Sequence, residues 1–469
     1  MERRASVADG PSLSVRERRE WGRSWRSSVP RSQLVEFAGA DGRVDPVELL
    51  QSQESLRIAE LVPIRYERML ASPWAFFRGA ALIMAADLAR VPYTGISVQL
   101  CGDAHLSNFG LFGSAERSLV FDINDFDETL PGPWEWDVKR LTASLAVAAR
   151  SHGATRAERE RVVRACARAY REKMHALAAM RELDVWYAQN PIDDALLSSV
   201  RPKAAQSIRQ AADHARSRDS TQALSKLTHV IDGRREFVSD PPLLVPIEEL
   251  VGEAEAVGYG RNAAALIDAY QATLNVSVQP LVRRFRYTGM ARKVVGVGSV
   301  GLRSWVVLTV GRDEDDPLVL QVKEAQPSVL ECYLQPSAYA NAAQRVVVGQ
   351  RLMQASGDIL LGWLHTVGPD GHEGDFFVRQ LRDWKGSATI EAMSAQMMTD
   401  YGRACGEVLA RAHARTGDRI AIAGYLGRGE STDIAFTRFA EAYADRNQRD
   451  YELLRAAADD HRVPVASGL

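Results

Sequence analysis

Residues 100–137 read LCGDAHLSNFGLFGSAERSLVFDINDFDETLPGPWEWD and place a dense set of polar side chains between two apolar flanks. Residues 96–100 alternate in polarity and predict a short buried strand, and residues 119–121 predict a second strand after a turn. Asp103 and Asn108 follow the first strand. A group of carboxylates lies at the end of the second strand: Asp122, Asp125 and Asp127. The sequence therefore predicts a carboxylate-rich site at the ends of two strands.

Carboxylates this close together repel one another unless a cation neutralises them, and Mg²⁺ is the hard divalent ion that suits oxygen ligands. In phosphoryl transfer, one Asp accepts the proton of the attacking hydroxyl, a following Asn binds metal, and a later Asp holds the metal that bridges the phosphates. Asp103, Asn108 and Asp125 fit these roles in that order. Asp127 and Asp122 are candidates for holding a second ion. The alternative is that these Asp and Asn residues only form turns.

The stretch CGDAHLSN, residues 101–108, resembles the H-G-D-x-H-x-x-N catalytic loop of aminoglycoside and choline phosphotransferases, which belong to the protein-kinase-like superfamily. Asp103, His105 and Asn108 match that pattern. Cys101 departs from it, because the pattern has His there. Asp125 and Asp137 are similar to the metal-binding Asp and the later structural Asp of the same enzymes. The resemblance implies a kinase-like catalytic loop, in which His105 either contacts a phosphate or forms hydrogen bonds within the loop.

A longer resemblance covers the chain from about Arg65 to the C-terminus. Over this length the sequence resembles a bacterial family known as domain of unknown function 2252. The segments that carry the resemblance are RMLASPWAFFRGAA, LCGDAHLSNFG, FDINDFDETLPGPWEWD and LQVKEA. This resemblance implies a kinase-like fold and names no substrate.

Residues 293–325, KVVGVGSVGLRSWVVLTVGRDEDDPLVLQVKEA, have a different, strand-rich texture. They contain a GxGxxG pattern formed by Gly296, Gly298 and Gly301. A strand follows the glycines where a dinucleotide-binding fold would have a helix, so the pattern is typical of a phosphate-covering loop. Lys323 lies about twenty residues further on at the end of an apolar strand, and is predicted to contact the α- and β-phosphates of ATP. The alternative is a simple glycine hairpin.

The residues after Lys323 are expected to complete the nucleotide site. Glu331 is preferred over Glu324 as the acidic partner of Lys323. Two further strands are predicted at Ile359–Val367 and Phe376–Leu381. The adenine slot is expected at Arg379–Asp383, where the chain crosses to the next lobe, so Arg379 is a predicted nucleotide-binding residue.

Composition limits the class of protein. The chain has 469 residues, enough for two or three domains or lobes, and a net charge of −2 that gives no argument for a nucleic-acid or membrane partner. Its four cysteines are far apart, which argues against a zinc site or a disulfide framework and fits a reduced compartment. The N-terminus has no apolar segment behind its charges. The sequence therefore predicts a soluble protein located in the cytoplasm.

The expected organisation has five parts. They are an arginine-rich flexible arm (1–40), a helical catalytic part with the two loops (41–181), a mainly helical connector (182–290), a β-rich nucleotide-binding part (291–385) and C-terminal helices (386–469). Within the second part, apolar spacing predicts one helix from Trp74 to Leu88. Because the glycine loop and lysine follow the catalytic loop, the predicted fold class is α+β, with a two-lobed, circularly permuted protein-kinase-like fold and extra helices.

The functional hypothesis is an ATP- and Mg²⁺-dependent phosphotransferase, with Asp103 as general base and a small-molecule acceptor, although a protein acceptor stays open. A second hypothesis keeps the fold but transfers AMP to a protein. A third is a non-catalytic nucleotide-binding protein, for which Cys101 is the supporting feature. The acceptor and the oligomeric state are not predicted.

Overall fold

The computed structural model describes residues 13–39, 41–193, 202–217, 224, 227–231, 233–294, 296, 298–381 and 386–466. In chain order, the helices are α1 (Val15–Ser28), α2 (Pro46–Gln51), α3 (Val62–Leu70), α4 (Pro73–Arg78), α5 (Ala81–Leu88), α6 (Trp134–Ser151), α7 (Arg156–Ala178), α8 (Glu182–Tyr187), α9 (Pro202–Ser217), α10 (Ile247–Val251), α11 (Glu253–Gln271), α12 (Gln279–Val282), α13 (Ala342–Met353), α14 (Ala395–Thr416), α15 (Arg419–Leu426) and α16 (Ser431–Asp459). The strands are β1 (Ser97–Leu100), β2 (Phe109–Gly113), β3 (Leu119–Ile123), β4 (Leu130–Pro133), β5 (Thr228–Ile231), β6 (Arg234–Phe237), β7 (Leu244–Pro246), β8 (Arg286–Lys293), β9 (Ser304–Val310), β10 (Pro317–Ala325), β11 (Gly362–Val367), β12 (Glu373–Gln380) and β13 (Gly386–Ser387). The predicted α+β class is confirmed.

A six-stranded antiparallel sheet has the strand order β11-β12-β10-β9-β8-β7. Its inner strand β10 is apolar on both faces: Leu320 packs with Tyr270 of α11, whereas Val319 packs on the opposite side with Val306 of β9. Such a strand reads in sequence as a nearly continuous apolar run. Because side chains alternate along a strand, Lys323 shares a face with Val319. The sheet therefore presents its lysine on the face opposite α11.

Two smaller sheets bring the predicted polar loops together. β1 pairs antiparallel with β4, and β2 pairs antiparallel with β3, with β13 added at the edge of β2. The loop 101–108 joins β1 to β2, and the loop 124–129 joins β3 to β4. Because both strand pairs close at the same end, these two loops lie side by side. Below, they are called the Asp103 loop (101–108) and the acidic loop (124–129).

Helix α6 forms the centre of the helical core. Its residues are buried from Trp134 to Ala149, and it packs against α4, α7 and α16. Helix α7 begins with the capping box predicted from Thr155 and Glu158, and it packs along α14. A helix that is buried on all sides must be surrounded by other elements. The Asp103 loop is one of the elements that α6 contacts.

The N-terminal arm is folded where the structure describes it, so the expectation of a flexible arm is wrong for residues 13–39. Helix α1 starts with a capping box and packs on α15. A Cβ at Gly22 would lie 1.9 Å from the carbonyl oxygen of Ala421, so the two helices touch closely there. Arg18 also forms an ion pair of 2.9 Å with Asp418. Residues 1–12 and 40 lie outside the described part of the chain.

Other boundaries also differ from the prediction. The single helix expected from Trp74 to Leu88 is divided into α4 and α5 at Gly79, where a Cβ would lie 2.9 Å from the Met69 side chain. The segment 182–290 contains strands β5, β6 and β7 besides its helices, and the large sheet recruits β7. The sheet therefore begins upstream of residue 291, while the division into five parts stays a prediction.

Candidate functional site

The Asp103 loop is fixed at its base by Asp137, which lies in the first turn of α6. The backbone N–H groups of Cys101 and Gly102 donate to the Asp137 carboxylate at 2.8 and 3.0 Å. His413 of α14 lies 3.2 Å from the same carboxylate. Gly102 has a φ of +84°, and a Cβ there would lie 2.2 Å from a backbone oxygen of the acidic loop, so glycine is required. Sequence reasoning found Asp137 but missed His413, which comes from a distant helix.

Asp103 is held by a buried arginine of α6. The Nε of Arg140 donates to Asp103 at 2.8 Å, its Nη2 donates to the carbonyl oxygen of Phe77 at 2.6 Å, and its guanidinium lies 3.9 Å from the centre of the Phe77 ring. His105 is buried, with its Nε2 3.5 Å from Asp103. Burial lowers the pKa of His105 to about 4, against the opposing charge of Asp103. His105 is therefore neutral at pH 7, and the cation beside Asp103 is Arg140.

Hydrogen bonds from both its side chain and its backbone connect Asn108 to its surroundings. Its side-chain Nδ2 donates to the carbonyl oxygen of Asp103 at 2.7 Å, and its own carbonyl oxygen accepts from the backbone N–H of Asn124 at 2.8 Å. Asp125 follows Asn124 directly, and its Oδ1 accepts from the backbone N–H of Asp127 at 3.2 Å. The structure thus brings the predicted base and the three predicted metal ligands into two bonded loops.

Lys323 reaches the acidic loop from the sheet. Its Nζ donates to the Asp127 carboxylate and, at 2.8 Å, to the Oγ of Ser299, which follows the second glycine of the GxGxxG pattern. Lys323 is 2% exposed. Burial and the neighbouring charge of Asp125 raise the pKa of Asp127, while Lys323 lowers it. Residues of the predicted nucleotide part and the predicted metal loop are therefore in direct contact.

The glycine loop rests on the segment that precedes α3. Nη1 of Arg57 donates to the carbonyl oxygen of Val300 and, at 3.2 Å, to the carbonyl oxygen of Gly298. The backbone N–H of Ile58 donates to the carbonyl oxygen of Gly301 at 2.8 Å. Gly301 has a φ of +89°. A Cβ on Gly301 would lie 2.9 Å from the Cβ of Arg57, whereas a Cβ on Gly296 would meet no atom within 4 Å. Residues 295 and 297 of this loop lie outside the described part.

Glu331, the predicted partner of Lys323, makes other contacts. It accepts from the backbone N–H groups of Ser328 and Ser337 at 2.9 and 3.0 Å, and lies 3.7 Å from Nε of Arg345. The acid paired with Lys323 in this structure is Asp127, and Glu331 is bonded to other groups. The pairing of Lys323 with Glu331 remains a prediction.

Arg345 of α13 was missed by sequence reasoning. This buried guanidinium donates to the carbonyl oxygens of Thr129, Asp127 and Gln326, at 2.6, 2.8 and 2.8 Å. Its one sequence signal is an arginine next to the apolar run 346–348. It fixes the backbone of the acidic loop to the helix after the lysine strand.

Arg379 of β12 lies at the junction between the sheet and the acidic loop. It donates to Gln321 at 3.0 Å and to the carbonyl oxygen of Asn124 at 3.3 Å. The predicted adenine slot extends to residues 382 and 383, which lie outside the described part of the chain.

Asp122, expected to assist a second ion, is instead buried in an ion pair with Arg411 of α14. Because this carboxylate is already neutralised away from the acidic loop, the assignment of Asp122 to a second ion is wrong.

The donor set of Asn108, Asp125 and Asp127 consists of an amide and two carboxylates, which suits Mg²⁺. The Asp127 carboxylate is engaged by Lys323, so a cation there would have to compete with an ammonium group. No group of three or more His, Cys, Asp or Glu side chains in the described ranges is arranged to hold a metal ion. Asn108, Asp125 and Asp127 therefore fit the ion by chemical type, and Asp127 would need to change partner.

Comparison with known proteins identifies a family. The sequence model of a bacterial family described as "Uncharacterized protein conserved in bacteria (DUF2252)" matches residues 57–457. No curated protein matches the chain, and no solved structure does. Among the described helices, none combines the length and the apolar character needed to cross a membrane.

Proposed function

This chain belongs to the bacterial family DUF2252, and we propose that it is an ATP- and Mg²⁺-dependent phosphotransferase with a small-molecule acceptor. The observation that carries the proposal is the ion pair between Lys323 and Asp127, which are 196 residues apart. It joins the lysine of a strand that follows a glycine loop to a carboxylate of the acidic loop. In kinase-like enzymes such a lysine and such a carboxylate act on the same phosphates. The proposal includes a two-lobed kinase-like fold in permuted order.

Asp103 is the proposed general base. It accepts the proton of the attacking hydroxyl or amino group, and the 2.8 Å ion pair with Arg140 holds its carboxylate in place. Neutral His105 lies beside it and adds no competing charge. The hydrogen bond from Asn108 to the Asp103 backbone fixes the position of the base relative to the acidic loop.

The phosphates are proposed to lie between the glycine loop and the acidic loop. Lys323 would leave Asp127 and contact the phosphates as a point charge. The glycines at 296, 298 and 301 allow the backbone to approach the phosphates closely. Asn108, Asp125 and Asp127 would hold Mg²⁺, which supplies charge neutralisation on the phosphates when bound. Arg379, at the junction with the sheet, is proposed to border the adenine.

The test is calorimetric titration of ATP into the full chain, with and without Mg²⁺. We expect Mg²⁺-dependent binding that Asp125→Ala weakens by at least about 10-fold, equivalent to about 1.4 kcal/mol. The matched control is Asp313→Ala, which removes an exposed carboxylate from the β9–β10 hairpin and should leave binding unchanged. The absence of ATP binding by the wild type at millimolar ligand would refute the proposal.

Mass spectrometry of the reacted acceptor separates the chemistries. Addition of one phosphate supports the proposed reaction, whereas addition of a whole AMP would identify an adenylyltransferase. The non-catalytic alternative rests on one observation, Cys101 in the position where the resembling catalytic loops have His. Nucleotide binding without transfer to any acceptor would favour it.

A further inference from the structure

Arg78 is a charged residue beside the candidate site that the proposed chemistry does not use. It is the last residue of α4, whose Trp74 and Phe77 are buried in the helical core. Its carbonyl oxygen lies 3.4 Å from the position that a Cβ on Gly298 would take, so this end of α4 lies directly beneath the glycine loop. The break at Gly79 ends the helix here and leaves the arginine at the site.

The guanidinium of Arg78 has carboxylates near it, and none of the described residues forms a bond with it. Burial lowers its pKa, and the charges of Glu391 and Asp103 oppose that shift. Within the described residues no hydrogen bond or ion pair is made by this side chain, and its Nε is buried without a partner. Leaving a partly desolvated cation unpaired costs free energy, which an incoming anion would recover.

The neighbouring arginine has a different role. Arg140 bonds to Asp103 through Nε and to the Phe77 carbonyl oxygen through Nη2, so it neutralises the base, and only its Nη1 is buried without a partner among the described residues. Arg78 directly follows Phe77, whose carbonyl oxygen accepts from the same guanidinium that holds Asp103. Trp74 of the same helix packs against His105, with the ring centres 6.1 Å apart. Arg78 therefore lies where the end of α4 meets both the Asp103 loop and the glycine loop, next to the position of an acceptor that Asp103 deprotonates.

We propose that Arg78 binds an anionic group of the acceptor, a phosphate or a carboxylate, next to the hydroxyl or amino group that Asp103 deprotonates. The inference rests on the proposed phosphotransferase function and defines its substrate class. A guanidinium presents two parallel N–H donors to either oxyanion, and the resulting pair fixes the orientation of the acceptor. Orientation of this kind brings the attacking atom close to the transferred phosphate.

The experiment uses the full chain loaded with Mg²⁺ and a non-hydrolysable ATP analogue, so that the γ-phosphate position is filled. Three probes share one carbon skeleton: glycerol, glycerate and glycerol 3-phosphate. Binding is followed by NMR titration. We expect at least one charged probe to bind about 10-fold more tightly than glycerol. Whether glycerate or glycerol 3-phosphate binds better separates a carboxylate acceptor from a phosphate acceptor.

The variants assign the effect to Arg78. Arg78→Gln should reduce binding of the charged probe to the level of glycerol, and Arg78→Lys should retain part of it because the charge is kept. Arg312→Gln, an exposed arginine of the β9–β10 hairpin, is the matched control and should behave as the wild type. Nucleotide binding by each variant reports that it is folded.

Two results would overturn the inference alone. One is normal nucleotide binding by the wild type with no preference for the charged probes. The other is an Arg78→Gln variant that binds the ATP analogue more weakly while its ADP binding is unchanged, because Arg78 would then contact the γ-phosphate. A wild-type protein that binds no nucleotide would refute the proposed function, and this inference with it.

Discussion

Arg345 donates a hydrogen bond of 2.8 Å to the carbonyl oxygen of Asp127, and so the helix after the lysine strand holds the acidic loop by its backbone. The same guanidinium bonds the carbonyl oxygens of Thr129 and Gln326. One buried side chain therefore joins helix α13, the end of strand β10 and the acidic loop. The carboxylate of Asp127 stays available to Lys323, because Arg345 uses only the backbone.

We expect Arg345→Met to destabilise the protein by about 3 kcal/mol, because three carbonyl oxygens would lose a charged donor. Urea unfolding measures the change. The matched control is Arg286→Met, since Arg286 is 70% exposed in its side chain and pairs only with Glu314 among the described residues. Equal unfolding free energies for Arg345→Met and the wild type would show that these hydrogen bonds contribute nothing net.

Removing the Lys323 ammonium should be more harmful than removing both partners of its ion pair. Lys323→Met would leave the Asp127 carboxylate without its cation, at a cost of about 3 kcal/mol, whereas Lys323→Met/Asp127→Asn removes both charges. The comparison is a double-mutant cycle in urea. The side chains are 3% and 23% exposed, so solvent screens the pair only partly. If the loss of unfolding free energy in the double variant equals the sum of the losses in the two single variants, the two residues are not coupled.

Glu135 and Lys139, one turn apart on α6, should give stability a characteristic pH dependence. Burial raises the pKa of Glu135 from 4.5 to about 7 and lowers that of Lys139 from 10.5 to about 8. Between pH 4.5 and 7 the folded state retains a proton on Glu135 that the unfolded state has lost, so stability falls as pH rises. Between pH 8 and 10.5 the unfolded state retains the proton on Lys139, so stability rises with pH. The pair therefore contributes least near pH 7.5.

The test is the unfolding free energy of Glu135→Gln/Lys139→Met from pH 5 to pH 10. The unfolding free energy of the variant minus that of the wild type should be about 1–3 kcal/mol larger near pH 7.5 than at pH 5 or pH 10. The other titratable side chains facing the pair are Tyr170, Tyr425 and Glu36. Burial raises the pKa of both tyrosines, so they stay neutral in this range. A difference that does not change with pH would contradict the prediction.

Local sequence patterns predicted the strand-rich part well. The strand expected from Trp305 to Val310 is β9, and the strand expected to end at Lys323 lies within β10. Both are apolar runs bounded by glycine or proline, so the information needed is in consecutive residues. The proximity of the Asp103 loop to the acidic loop follows from the same signals, because polar residues at the ends of paired strands must meet.

The features that were missed depend on partners far away in sequence. An arginine-rich arm looks mobile until Gly22 is seen against Ala421. Asp122 looks like its acidic neighbours until Arg411 of α14 is seen to neutralise it. Arg345 gives no local sign that it bonds to three carbonyl oxygens. In each case tertiary contact decides the role of the residue, and one sequence contains no record of that contact.

Gly301 offers a direct test of how the glycine loop is held. Gly301→Ala places a Cβ on a residue with a φ of +89° and 2.9 Å from the Cβ of Arg57, so both backbone strain and a clash oppose it. We expect a loss of about 1–3 kcal/mol in urea unfolding. Gly296→Ala is the matched control, because its Cβ would meet no atom within 4 Å and its stability should match the wild type within about 0.5 kcal/mol.

The two alanine variants also separate stability from ligand binding. If the loop covers the phosphates, Gly301→Ala should weaken Mg·ATP binding because its contact with the Arg57–Ile58 segment is displaced. Gly296→Ala should weaken binding only if the backbone must approach the phosphates closely at that residue. Weaker binding by Gly296→Ala at unchanged stability would therefore place the phosphates at the exposed end of the loop. Unchanged binding by both variants would contradict a phosphate-covering role for these glycines.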